Sequence, residues 1–163
     1  MTSIKTAAFA AVTALSLTAC AENWSPSEGE TEWEREFFGA ETYAELREDI
    51  SPEDKEELQP VMELAEKAFS AFPKDREDAK RQFGELYRYT NYDCDPNTAA
   101  EEHELTFKTC KIEGDSGYIW VHYSQECSSL SGEILKGSWD ILSRWKVEKQ
   151  GEKWVVTLVC EPA

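Results

Sequence analysis

The chain has 163 residues, a length that fits one ordinary domain and excludes two large ones. It carries 33 acidic and 17 basic side chains, a formal net charge of −16. Such a surface repels phosphate backbones, which excludes a nucleic-acid-binding role. Apolar residues make up 40% of the chain and aromatic residues 12%, enough for a packed core, which excludes a wholly disordered protein.

The first twenty residues, MTSIKTAAFAAVTALSLTAC, have the pattern of an export signal. One basic residue, Lys5, precedes an uncharged run from Thr6 to Ala19. This run falls short of the roughly 20 apolar residues that a membrane-spanning helix needs. A basic start, a short apolar run and small residues before a cleavage point are typical of a secretory signal peptide.

The segment ends in Leu17-Thr18-Ala19-Cys20, which resembles the lipobox of bacterial lipoproteins. The resemblance implies cleavage after Ala19 and acylation of Cys20 with palmitate-type chains, which hold a protein on a membrane without spanning it. Ala21 stands where many Gram-negative lipoproteins retained at the inner membrane have Asp, which implies the periplasmic face of the outer membrane in such a cell. The alternatives are an ordinary secretory signal with an unrelated Cys20, or a buried N-terminal helix.

Export would place the other cysteines in an oxidising compartment. With Cys20 assigned to lipid, Cys94, Cys110, Cys127 and Cys160 form an even set that can pair in three ways. We favour Cys94–Cys110 with Cys127–Cys160, and free reactive thiols are the alternative. None of the spacings is CxxC, so neither a zinc ribbon nor a thioredoxin-like redox site is supported.

The acidic residues are concentrated near the start of the mature chain. Removal of residues 1–19 removes one lysine and no acid, so the mature chain carries −17, and residues 21–60 contain 14 acids and 3 bases. Residues 20–32 have the composition of an acidic, solvated tether. We therefore predict one domain over residues 33–163, of which residues 33–50 are peripheral.

The sequence of the first half of this domain predicts helices. Residues 33–50 are partly helical by pattern, and Ser51-Pro52 is typical of a helix N-cap followed by proline at the first helical position. A further helix is predicted to begin at Pro60 and another to cover residues 75–87. The helix from Pro60 has apolar residues at helical spacing that predict a core-facing side: Val61, Leu64, Ala65, Ala68, Phe69 and Phe72.

After about residue 103 the apolar residues alternate, which predicts four strands over residues 104–112, 118–127, 138–148 and 153–160. Helices followed by an antiparallel meander predict an α+β fold, with N-terminal helices packed on one face of a four-stranded antiparallel meander sheet. For the last hairpin, a two-residue turn at Gln150-Gly151 predicts that Trp145 faces Val156 and Val147 faces Trp154.

The segment WDILSRWKVEKQGEKWVVTLV, residues 139–159, resembles small extracytoplasmic lipoproteins of the nuclear-transport-factor-like or cystatin-like superfamily. The resemblance covers residues 60–160 and implies that the N-terminal helices lie in the concavity of a curved sheet. Enzymes of that superfamily place His and Asp in this pocket, which implies an acid–base role for His122 and Asp140. Tyr118 and Trp120 share the strand face of His122 and complete the candidate pocket. The alternative is a partly buried histidine at a sheet surface.

Other motifs favour no cofactor, metal or catalytic centre. Asp93, Asp95, Asn97 and Glu104 partly match a calcium-binding loop, but Thr98 stands where the sharp turn needs glycine, so an Asx turn is favoured. The sequence has no GxSxG, HExxH or phosphate-loop pattern.

The four tryptophans of the predicted strands, at positions 120, 139, 145 and 154, occupy positions that predict a packed core. An exposed aromatic patch would instead favour a binding surface.

These features predict a membrane-anchored envelope lipoprotein with a non-catalytic domain that binds a small ligand or a protein partner. One alternative is a small enzyme that uses the sheet concavity. Another is an acidic inhibitor of a basic envelope enzyme such as a lysozyme, steered to its target by charge.

Lipidation can be tested on the mature N-terminus by mass spectrometry. We expect the wild-type protein to begin at Cys20 and to carry acyl chains, and Cys20→Ala to retain residues 1–19 without acylation. Cys160→Ala is the control and should be processed and acylated like the wild type. A wild-type protein that begins at Met1, or an unmodified Cys20, would contradict the lipoprotein interpretation.

Overall fold

A computed structural model of the chain describes residues 28–162. It contains four α-helices, two 3₁₀ segments and four strands, namely α1 (Glu28–Phe38), α2 (Ala40–Ala44), 3₁₀ Glu45–Arg47, α3 (Pro52–Phe69), α4 (Arg76–Phe83), 3₁₀ Gly84–Tyr89, β1 (Thr98–Glu113), β2 (Ser116–Ser129), β3 (Ile134–Gln150) and β4 (Lys153–Cys160). The strands form one antiparallel sheet in the order β1-β2-β3-β4. The predicted α+β fold, with helices preceding a four-stranded meander, is confirmed.

Strand β2 is buried on both of its faces. Its residues Tyr118 to Val121 are each 7% exposed or less. Because side chains alternate along a strand, Ile119 and Val121 point to one face of the sheet, here the inner face, and Tyr118 and Trp120 point to the other, the outer face. Both faces therefore need a covering layer.

Helix α3 and the 3₁₀ segment Gly84–Tyr89 cover the inner face. Apolar side chains from these helices and from all four strands form the main core, which includes Leu58, Val61, Ala65, Phe69, Leu86, Cys110, Ile119, Val121, Trp145, Val147, Val156 and Val159. The Phe69 ring stacks on the Tyr89 ring with centroids 4.7 Å apart. Burial of these apolar groups is the main favourable contribution to folding.

Helices α1 and α2 and the 3₁₀ turn Glu45–Arg47 cover one end of the outer face. The ring centroid of Phe38 lies 4.7 Å from that of Trp120. The Glu45 carboxylate accepts hydrogen bonds from Trp120 Nε1 at 2.8 Å and from Arg144 Nε and Nη2 at 2.7 and 2.8 Å. The prediction that all helices pack on one face was wrong, because the outer-face aromatic side chains of β2 require cover of their own.

Two helix boundaries differ from the predicted ones. Helix α1 begins at Glu28, inside the predicted tether, and its Phe38 end is anchored on Trp120. Helix α3 runs through Pro60 without a break. Pro60 is exposed, so the backbone carbonyl that loses its hydrogen-bond partner there can bind water instead. The predicted start at Ser51-Pro52 is confirmed, since the Asp54 N–H donates to Ser51 Oγ.

The last hairpin forms with a different register. Gln150 pairs with Lys153, so the turn is Gly151-Glu152, with Gly151 at the positive φ of 66° that the first position of a type II′ turn requires. A bulge between Lys146 and Val147 then shifts the pairing by one residue, so Trp145 faces Val159. The predicted Trp145–Val156 pair was therefore wrong, although both residues do lie in the core.

No helix within residues 28–162 is both long and apolar enough to cross a bilayer. The predicted signal peptide and Cys20 lie outside the described residues.

Two phenylalanines near the end of α3 provide a matched test of the inner core. Phe69 is fully buried, whereas Phe72 lies beyond the helix and is 56% exposed, contrary to its predicted core position. We expect Phe69→Ala to lower the free energy of unfolding by about 3–5 kcal/mol and Phe72→Ala by less than about 0.5 kcal/mol. Urea unfolding followed by tryptophan fluorescence measures both. Equal losses in the two variants would contradict the described packing.

Candidate binding cleft on the outer face

A β-bulge reshapes the end of the outer face that the helices leave uncovered. Tyr123 pairs with Ile141 and Gln125 with Ser138, so β3 has one extra residue between these pairs. Asp140 takes a φ of 58°, and its N–H donates to Ser124 Oγ at 3.1 Å. Aspartate tolerates this left-handed conformation better than most residues. Bulges redirect side chains, and they are common beside functional sites.

The bulge directs Trp139 out of the core. Its side chain is 54% exposed, and its Nε1 donates to Glu126 Oε2 at 3.3 Å. The indole lies against Gly137, where an added Cβ would collide with the ring, so glycine is needed for this ring position. The prediction that Trp139 lies in the core was wrong, because strand alternation does not continue through a bulge.

A cleft of about 320 Å³ lies beside Trp139, with a lining of Glu102, His103, Glu104, Ser124, Gln125, Glu126 and Trp139. Pairing of β1 with β2 sets Glu102 opposite Glu126 and Glu104 opposite Ser124. None of these three glutamates forms an ion pair with any residue in the range 28–162. The cleft therefore concentrates negative charge next to an exposed aromatic ring.

His122 and Asp140, which the resemblance implied as an acid–base pair, lie together beside this cleft: neither lines it, but the Asp140 N–H donates to Ser124 of the lining. His122 Nε2 is 3.5 Å from Asp140 Oδ1, and the two side chains are 16% and 82% exposed. Burial, followed by the positive charge of Lys108, lowers the pKa of His122, and the carboxylate of Asp140 partly offsets this effect. The imidazole is therefore biased toward its neutral form.

Tyr118 and Trp120, the other two residues of the predicted pocket, are buried beneath α2 and the 3₁₀ turn that follows it. The Tyr118 hydroxyl donates to Glu48 Oε2 at 3.2 Å, and the Arg144 guanidinium lies 5.0 Å from the centre of the Tyr118 ring. Trp120 is fully buried. Tyr118 and Trp120 are thus part of the packed outer-face cluster, whereas Asp140 of the His122–Asp140 pair is 82% exposed.

Aromatic side chains fill the space between α3 and the inner face, where the resemblance had implied a pocket. Trp145 Nε1 donates to the Tyr89 hydroxyl at 2.7 Å, and that hydroxyl donates to Glu161 Oε2 at 3.2 Å. Burial, and then the charge of Glu161, raises the pKa of Tyr89, so its hydroxyl keeps its proton. These groups form a packed polar network, and His122 lies on the opposite face of the sheet.

The residues of the partial calcium motif do not converge on one point. Asn97 N–H and Nδ2 both donate to Asp95 Oδ1, at 2.7 and 2.8 Å, which is the favoured Asx turn. Asp93 pairs with Lys136, and Glu104 lies on β1 in the cleft. Within residues 28–162, no group of three or more metal-binding side chains is arranged to hold an ion.

The cysteines are arranged differently from the favoured pairing. Cys94 Sγ lies 2.8 Å from Cys127 Sγ. Cys127 sits opposite Glu101 on β1. Cys110 is nine residues farther along β1, so it lies about 30 Å from Cys127 and from the neighbouring Cys94. Cys160 sits opposite Arg144 on β3, whereas Cys127 sits opposite Lys136, eight residues away on the same strand. Disulfides need Cα atoms within about 7 Å, so neither Cys94–Cys110 nor Cys127–Cys160 fits this fold.

Comparisons with known proteins give little further information. No protein-family model and no curated protein sequence matches the chain. Among solved structures, the chain is similar to one described as a putative aromatic ring hydroxylase from Novosphingobium aromaticivorans, with a TM-score of 0.48 and 15% identity, over 70% of this chain and 96% of that one. A likeness of this extent transfers neither a ligand nor a reaction to this protein.

The His122–Asp140 contact can be tested by NMR titration of the histidine ring protons. We expect His122 to titrate below its ordinary value of 6.5, and Asp140→Asn to lower its pKa further, because the carboxylate favours the protonated ring. Asparagine also tolerates the left-handed backbone at this position. His122→Gln assigns the signal, and Asp115→Asn, in the turn after β1, is the charge-matched control.

The lowered pKa of His122 also determines how the stability of the folded protein changes with pH. The folded-state pKa of His122 lies below its unfolded value, so its contribution to stability is fully present above about pH 6.5. That contribution is lost as the pH falls through the folded-state pKa. Because Asp140→Asn lowers this pKa further, the loss of stability in the variant should continue to a lower pH. An unchanged or raised His122 pKa in Asp140→Asn would contradict the contact.

Proposed function

We propose that this protein is a lipid-anchored component of the bacterial cell envelope whose domain binds, without catalysis, a positively charged group of a ligand or partner protein. The observation that carries the proposal is the outer-face cleft, where the exposed Trp139 ring adjoins Glu102, Glu104 and Glu126. Trp139 and the three glutamates line the same cleft, so one ligand can contact both the ring and the carboxylates.

The chemistry of the cleft favours an ammonium or guanidinium group. Carboxylates attract such cations directly, and the face of an indole attracts them through its quadrupole, by about 0.5–2 kcal/mol. A volume of about 320 Å³ accommodates one lysine or arginine side chain or a small amine. The net charge of −17 on the mature chain would steer a basic partner toward the protein.

The lipobox-like segment Leu17–Cys20 supports the envelope location. Cleavage after Ala19 would leave eight residues, 20–27, between the lipid and helix α1. These eight residues contain one acid, Glu22, so the charge that would repel anionic headgroups comes mainly from helix α1, which has five glutamates and one arginine. In a Gram-negative cell, the periplasmic face of the outer membrane is the proposed location. A basic envelope enzyme held at that membrane would then be a suitable partner, and binding would inhibit it if its active site were covered.

A second candidate function is acid–base catalysis at the cleft, favoured by the 3.5 Å distance between His122 Nε2 and Asp140 Oδ1. A neutral imidazole beside a cleft is able to accept a proton from a bound substrate. His122→Gln separates the two functions, since a binding module would keep its affinity for a cationic partner while an enzyme would lose turnover.

The binding proposal predicts a local charge effect. We expect Glu102→Gln, Glu104→Gln and Glu126→Gln combined to weaken binding of a cationic probe protein, such as lysozyme, at least 10-fold at low ionic strength, because the cleft loses its three carboxylates. Isothermal titration calorimetry measures the affinity. The wild-type affinity should fall as salt is raised, since exposed charges are screened.

A matched control removes the same net charge elsewhere. Glu56, Glu133 and Glu152 are exposed and lie outside the cleft, and their combined change to glutamine should alter the affinity less than 3-fold. Equal losses in both triple variants would show that only the overall charge matters. Absence of binding by the wild type at low salt would sink the proposal of a cationic partner.

A further inference from the structure

We propose that Cys94 and Cys127 form a disulfide bond and that Cys110 and Cys160 remain thiols. The two sulfurs of the proposed bond are 2.8 Å apart, between the ~2.05 Å of a covalent disulfide and an ordinary non-bonded contact. The cysteines are 33 residues apart in sequence, so the fold brings them together.

One buried side chain holds both sulfurs. Asn91 is 4% exposed, and its Oδ1 accepts from Cys94 Sγ at 3.5 Å and from Cys127 Sγ at 3.3 Å. Its Nδ2 donates to the backbone carbonyl of Phe69 at 2.6 Å, at the end of α3. Gln125 Nε2 donates to the same Oδ1 at 3.0 Å. The thiols are therefore positioned by the packing of the loop against the sheet and not by a chance encounter of mobile side chains.

Within residues 28–162, Cys110 and Cys160 have no other cysteine within reach. Cys110 lies on β1 and Cys160 on β4, with β2 and β3 between them, a separation of about 14 Å across three strand spacings. Cys110 is buried in the core, and burial raises the pKa of its thiol to about 11. With no disulfide partner within reach among residues 28–162 and no access for an external disulfide, Cys110 stays a thiol.

The exposures of Cys94 and Cys127 fix the order of oxidation. Cys94 is partly exposed, whereas Cys127 is 1% exposed and burial raises the pKa of its thiol to about 12. Cys94 therefore reacts first, as a thiolate that attacks one sulfur of an external disulfide such as oxidised glutathione. One glutathione thiol leaves, and a mixed disulfide with Cys94 remains.

The second step closes the bond within the protein. Cys127, after transfer of its proton to solvent, attacks Cys94 Sγ and displaces the second glutathione as a thiol. Two protein thiols thus lose two protons and two electrons, and one molecule of oxidised glutathione is reduced to two thiols.

The bond would fix the loop before β1 to the end of β2. Cys127 adjoins Glu126 of the cleft, and the neighbouring Asp93–Lys136 ion pair already joins the same loop to β3. Closing a loop of about 34 residues restricts the unfolded chain, which stabilises the folded state. We expect the oxidised protein to melt about 10 °C above the reduced one.

Tryptic mapping can test the pairing directly, because lysines and arginines separate all four cysteines. Cleavage places Cys94 in peptide 89–108, Cys110 in 109–111, Cys127 in 112–136 and Cys160 in 154–163. The full-length native protein is treated with oxidised glutathione, denatured, alkylated without reduction and digested. We expect mass spectrometry to find peptides 89–108 and 112–136 joined, and the Cys110 and Cys160 peptides alkylated.

Single variants complete the design. Cys94→Ser and Cys127→Ser should each abolish the joined peptide and remove the increase in melting temperature on oxidation, whereas Cys110→Ser should leave both intact. Alkylation of both Cys94 and Cys127 in the oxidised wild type, or a joined peptide that contains Cys110 or Cys160, would overturn the proposal. The result does not depend on the cleft, since no step involves a bound cation.

Discussion

The burial of four consecutive residues in β2, Tyr118 to Val121, constrains the whole fold. A strand with large apolar or aromatic side chains on both faces is stable only when both faces are covered. Helix α3 supplies the inner layer, and the short helices α1 and α2 supply the outer one. The outer layer is small, so the Glu45 carboxylate strengthens its attachment by binding both Trp120 and Arg144.

The same constraint accounts for the position of the candidate cleft. Helices α1 and α2 pack on Tyr118 and Trp120, and the outer face opens into the cleft farther along β2, at Ser124 and Glu126. There the β3 bulge places Trp139 and Asp140 outside the regular alternation. One end of the outer face is thus a packed core, and the other end combines an exposed ring with carboxylates. The part of the outer face that packs against the helices and the part that we propose to bind a ligand therefore lie at different positions along the strands.

The sequence predicts much of this fold and less of its site. Period-two alternation locates all four strands, and Ser51-Pro52 marks the start of α3. Alternation cannot reveal bulges, so it misplaces Trp139 and shifts the register of the last hairpin. The pairing of Cys94 with Cys127 depends on how a loop returns to β2, which spacing does not encode. His122 and Asp140 do meet, yet on the face opposite to α3.

Amide chemical-shift mapping tests the central claim, that the uncovered end of the outer face is the binding surface. Titration of the ¹⁵N-labelled protein with a short lysine-rich peptide should shift amides of residues 102–104, 124–126 and 137–140 and leave those of α3 and of the Tyr118–Val121 segment unchanged. Such a result would place a cationic ligand against Trp139 and the three glutamates. Shifts concentrated on the helices, or spread evenly over all acidic surfaces, would contradict the claim.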